Sequence, residues 1–167
     1  KTHLTLAPLQ SLQNVTILTL QVKHLRSFIE AFEFPLLLRK LTLHLYNFYS
    51  WENALSDMNL QRGDDPETKR SEIHSALLNF FEKFKQLMNL TSLDLNMPGF
   101  TQASDLMIYF ILPLIRSIPK LENFECQLYQ GYENSKDFDI SVFLDGIAPL
   151  KQLKSFKIFQ RLGGRKS

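Results

Sequence analysis

The chain has 167 residues, with nineteen Lys and Arg against seventeen Asp and Glu and a formal net charge of +2 at pH 7. Hydrophobic content of 44% beside 22% charged residues, with fourteen Phe, is the composition of one folded domain and excludes general disorder. So small a charge gives the whole molecule no strong electrostatic case for nucleic acid or an anionic membrane. The single cysteine, Cys126, has no partner for an internal disulfide, which suits a reducing, intracellular and cytoplasmic setting. The longest apolar run, residues 106–115, is about half of the roughly 20 residues a membrane span needs, and it contains Pro113. It reads as a buried helix, and no membrane partner is expected.

In chain order, residues 12–22 read LQNVTILTLQV, whose Val15, Leu18 and Leu20 pass from a spacing of three to a spacing of two. That change marks entry into a strand burying alternate residues. Leu25, Phe28, Ile29 and Phe32 then form a helical stripe that stops near Pro35. Residues 38–45, LRKLTLHL, repeat the strand pattern. An insertion of about residues 50–71 follows, with a short helix over 51–60 and a polar segment, QRGDDPETKR, over 61–70. Gly63 and Pro66 make the latter a surface loop, either a contact loop or a tolerated insertion. Ser71 is the expected N-cap of a helix over 72–88, with Ile73, Ala76, Leu77, Phe80, Phe81, Phe84, Leu87 and Met88 on one broad face.

Residues 87–97, LMNLTSLDLNM, match 12–22 closely, both fitting L-x-N-[LV]-T-x-L-x-L-x-[VM]. A third helix spans about 103–117, with Pro113 kinking it or ending it early. Residues 121–128, LENFECQL, form the fourth copy. A helix over about 138–147 follows Asp137, and residues 153–159, LKSFKIF, form the fifth copy. Leu18, Leu41, Leu93, Phe124 and Phe156 take the first inward strand position, at intervals of 23, 52, 31 and 32 residues. One strand-and-helix unit cannot bury its own apolar edge, so the copies must stack. Residues 161–167 read as a flexible basic tail.

These copies resemble leucine-rich repeats, whose strand core is written L-x-x-L-x-L-x-x-N-x-L. Leu90, Leu93, Leu95 and Phe100 fill the four apolar places, as do Val15, Leu18, Leu20 and Leu25, and Leu38, Leu41, Leu43 and Phe48. Pro98, Lys23, Tyr46, Tyr129 and Arg161 stand where the family carries its turn Asn. The repeat length and the intervening helices are similar to the longer, ribonuclease-inhibitor-like members. The resemblance implies an α/β solenoid over residues 1–160, with a parallel concave sheet, convex helices and about five repeats. Cys126 then falls inward, between Phe124 and Leu128, as a small buried apolar residue.

The residues between the inward positions face outward in three columns. They are Ile17, Lys40, Ser92, Asn123 and Ser155; then Thr19, Thr42, Asp94, Glu125 and Lys157; then Gln21, His44, Asn96, Gln127 and Phe159. Their short and amide side chains suit hydrogen bonding to a protein partner. Thr42, His44, Asp94, Asn96, Glu125, Gln127, Lys157 and Phe159 are the candidate protein-binding residues. Asp94 and Glu125 fall side by side, which costs stability, and Lys157 is placed to relieve only the outer one. A basic side chain of the partner would meet this pair.

Catalysis has little support. His3, His24, His44 and His74 lack metal-ligand spacing, and Asp64, Asp65 and Glu67 lack that of a calcium loop. The six glycines form no phosphate-binding loop, so no cofactor is expected. The function expected is a non-enzymatic interaction module or scaffold in a larger protein or assembly. The alternatives are a substrate-recognition arm of a ubiquitin ligase and a ribonucleoprotein subunit. The latter would bind RNA through Lys151, Lys154, Lys157, Arg161, Arg165 and Lys166. Phe138, Phe143, Phe156 and Phe159, with Tyr129 and Tyr132, leave an apolar C-terminal end, expected in a fragment of a longer solenoid or under a partner.

Overall fold

The computed structural model describes residues 14–23, 28, 32–45, 66–97, 110–130 and 140–162. Within them are strands β1 (Ile17–Val22), β2 (Lys40–Leu45), β3 (Ser92–Met97), β4 (Asn123–Gln130) and β5 (Ser155–Leu162). Three helices alternate with the later strands: α1 (Pro66–Lys85), α2 (Leu112–Ser117) and α3 (Ile140–Ile147). The five strands form one parallel sheet in chain order, β1-β2-β3-β4-β5. The protein is therefore an α/β fold. No helix among the described residues is long and apolar enough to cross a membrane.

The register is constant across every junction. Leu18, Leu41, Leu93, Phe124 and Phe156 align, as do Leu20, Leu43, Leu95, Cys126 and Ile158. The three outward columns align in the same way. Side chains alternate across a strand, so alignment of one inward position aligns them all. Leu41, Leu43, Leu93, Leu95, Phe124 and Cys126 are 0–1% exposed and share one core with the apolar faces of the helices. Inside that core Phe80 meets Phe84 edge-on at 4.9 Å and stacks with Phe110 at 6.1 Å. Phe124 stacks on Phe156 at 5.6 Å.

A backbone device recurs at each junction. The carbonyl before a strand accepts two N–H groups from the next unit. Thr16 O accepts from Arg39 and Lys40, Arg39 O from Thr91 and Ser92, Thr91 O from Glu122 and Asn123, and Glu122 O from Lys154 and Ser155, all at 2.7–3.1 Å. A two-residue turn precedes each of the last four strands, at 36–37, 88–89, 119–120 and 151–152. In three of these the closing N–H reaches back three residues, from Leu38 to Pro35, Leu90 to Leu87 and Leu153 to Leu150.

Several expectations are corrected. Helix α1 begins at Pro66, so 66–70 is helical rather than loop and Ser71 lies inside the helix instead of capping it. Proline lacks only an N–H that the first turn leaves unbonded anyway, so it starts a helix readily. Pro113 stands in the first turn of α2, directly after the π-helical residues 110–111, so it does not end the helix there. Met88 lies beyond α1, in a turn, and is 49% exposed. Arg161 and Leu162 belong to β5, paired with Tyr129 and Gln130, and not to a flexible tail. Leu25, Ile29, residues 51–65, residues 103–109, Asp137, Phe138 and residues 163–167 lie outside the described residues.

Helix α3 approaches α2 closely. A methyl on Gly146 would stand 2.5 Å from Leu112 Cδ2. Arg116 Nη2 donates to the Gly146 carbonyl at 3.0 Å, fastening the same junction.

Candidate protein-binding face

One face of the sheet is buried under the helices; the other carries the three outward columns. Strand alternation alone puts them there, since every inward Leu, Phe or Cys sends its neighbours to the opposite side. Thr42, His44, Asp94, Asn96, Glu125 and Gln127 are partly exposed, and Lys157 and Phe159 are exposed. The register brings all eight together. Thr42 aligns with Asp94, His44 with Asn96, Asp94 with Glu125, Asn96 with Gln127, Glu125 with Lys157, and Gln127 with Phe159.

The electrostatics differ from expectation in one respect. Lys40, in the first column, reaches diagonally to Asp94, with Nζ 3.8 Å from Oδ2 and the two side chains 49% and 34% exposed. Among the described residues Glu125 has no ion pair, and none joins it to Lys157 across β4 and β5. The carboxylate with a cation beside it is thus Asp94, and Glu125 is the one left open. Reading along the register misses Lys40 because it meets the residue two places further along the neighbouring strand. The signal is in the columns, where Lys40 stands one strand and two positions from Asp94.

Asn96 adds a polar feature at the centre of the face. Its Oδ1 is shielded from solvent and has no hydrogen-bond partner among the described residues. Buried acceptors of this kind are rare because the desolvation is uncompensated. Phe159, at 48% exposure, and Ile17, at 68%, are large apolar side chains on opposite edge strands of a mostly polar face. A face with two carboxylates, of which Asp94 has a cation beside it, with amides, an unsatisfied acceptor and the exposed Ile17 and Phe159, can hydrogen-bond and pair with a partner.

Cys126 is fully buried on the opposite, core side. Burial pushes its thiol up to about 12, so it is an apolar packing residue and no reactive group. Among the described residues no three His, Cys, Asp or Glu are grouped so that they could hold a metal ion. Compared with family models, curated proteins and solved structures, the chain matches none.

Proposed function

We propose that this chain is a non-enzymatic protein-interaction module built as a short leucine-rich-repeat-like solenoid, with the open sheet face as its binding surface. The solenoid reading rests on the repeated turn, the shared carbonyl at each junction and the unbroken register of five parallel strands. Units that touch only their neighbours in chain order are the mark of repeat architectures. The single observation that carries the function is the second outward column, which sets Asp94 and Glu125 side by side on an open face. Lys40 engages only Asp94. The partner is a protein that supplies a basic side chain to Glu125 and a donor to Asn96.

The test is affinity purification of the chain, and of its Asp94→Lys, Glu125→Lys double variant, from cell extract with mass spectrometry of the bound proteins. Far-ultraviolet circular dichroism checks that the variant keeps its fold. A partner present with the native chain and lost with the variant supports the reading. A partner set identical in both removes the sheet face as the binding surface.

A further inference from the structure

The exposed large apolar side chains do not all lie on the sheet face. Leu36 is 61% exposed, Leu37 46% and Met88 49%. All three stand in the turns that precede β2 and β3. The constant register makes these turns equivalent positions of adjacent units. Leu36 and Met88 each lie three residues before the carbonyl at the start of their strand, and Thr91 and Ser92 bond the Arg39 carbonyl directly at 3.0 and 3.1 Å. The turns therefore form one row along the rim where the strands begin, with neighbouring units set at about 5 Å strand spacing.

Following the row toward β5, the same turn positions change character. Leu36 and Leu37 give way to Met88 and Asn89, then to Pro119 and Lys120, then to Lys151 and Gln152. All are exposed except Gln152, which is partly so. Arg39 and Lys154, each just before a strand, are exposed on the same rim. Among these described positions the only carboxylate is Glu122, and Lys154 holds it at 3.1 Å. With Lys154 and Glu122 paired, Arg39, Lys120 and Lys151 are left as three cations with no carboxylate among these positions, on a rim whose other half is apolar and in a chain of net charge only +2.

We propose that this row of turns adsorbs to an anionic lipid bilayer. Leu36, Leu37 and Met88 enter the interface, and Lys120 and Lys151 meet the lipid phosphates. Apolar tips on successive turns engage a plane together, and unopposed lysines beside them are drawn to a negative surface. A groove-shaped protein partner would leave the outer tips in water. The surface lies at the strand ends and is separate from the sheet face, so the two readings stand or fall apart. Adsorption of this kind needs no membrane-crossing helix.

The experiment is sedimentation of the full chain with vesicles of phosphatidylcholine alone or mixed with phosphatidylserine, at low and high salt. Binding to the mixed vesicles that weakens with salt, and is absent with phosphatidylcholine alone, is expected. Leu36→Asn with Leu37→Asn should weaken it at least about tenfold, since most of the inserted apolar area is gone. Lys120→Gln and Lys151→Gln should each weaken it about fivefold. These positions are exposed, and circular dichroism checks that each variant is folded. Failure to sediment with mixed vesicles overturns the proposal, as does sedimentation indifferent to the leucine changes. Equal binding to soluble polyglutamate that ignores those changes also overturns it, and assigns the rim to an acidic protein instead.

Discussion

The middle and the flanks of the sheet carry the same alternating pattern but differ in what it achieves. Leu93, Leu95 and Phe124 are 0–1% exposed, whereas Leu18, Leu20, Phe156 and Ile158, at aligned positions on β1 and β5, are only partly buried. The residues are equally apolar. Among the described residues β3 and β4 have a paired strand on both sides, whereas β1 and β5 have one on a single side. Hydrophobic stabilisation here is a property of stacking, so a unit's contribution depends on its place in the row more than on its own composition.

The most direct way to break this comparison is truncation. Leu93→Ala should lower stability by about 3 to 5 kcal/mol, and Leu18→Ala by about 1 to 2 kcal/mol, because the cost rises with the apolar surface taken out of the core and the cavity left behind. Urea unfolding with an unchanged slope measures both. Equal effects at the two sites would mean that the flanks are as well packed as the middle.

Smaller effects sharpen the comparison. Gly146→Val forces side-chain atoms against Leu112 where α3 joins the last unit to α2. Destabilisation by about 1 to 3 kcal/mol is expected, as for other overpacked sites. Thermal unfolding would read it, and an unchanged midpoint would show that the last helix is loosely held. Cys126 probes the middle through pH. Its thiol is raised from 9.0 to about 12 by burial, so the folded state holds this proton more tightly than the unfolded chain. That contribution is intact below pH 9 and is lost as pH rises through about 12. The urea midpoint should therefore fall on moving from about pH 8 to about pH 10.5, and less in Cys126→Ala. An identical fall in both would place the alkaline sensitivity elsewhere. The smallest effect is on the open face. A double-mutant cycle on Lys40 and Asp94 should give about 0.2 to 1 kcal/mol, since both side chains are substantially solvated and screened.

Legibility follows the same division. The five strands and the columns across them can be read from residues 12–22 and 87–97, because burial on one face forces a period of two that the helices do not share. Cys126 is legible for the same reason. The start of α1 is not, because the first turn of that helix is polar and opens on Pro66, which punctuates loops as readily as it begins helices. Arg161 reads as tail because charge near a terminus says nothing about strand pairing; its place in β5 is set by Tyr129 on β4. All eight candidate residues fall on the expected face. The columns place Lys40 one strand and two positions from Asp94, and what they leave open is how far its side chain leans along the strand to reach the carboxylate.

The carbonyl clasp at the junctions has a consequence for the history of such a chain. It joins Thr16 to Arg39 and Lys40 across a short connection, and Arg39 to Thr91 and Ser92 across one more than twice as long. Main-chain atoms make every clasp, so it tolerates almost any residue but proline at the two donors, and it is indifferent to how much chain lies between. Duplication, deletion or lengthening of the connecting segment can then proceed without disturbing the alignment of the strands on either side. A lineage could vary the connections freely while the face they support stays in register.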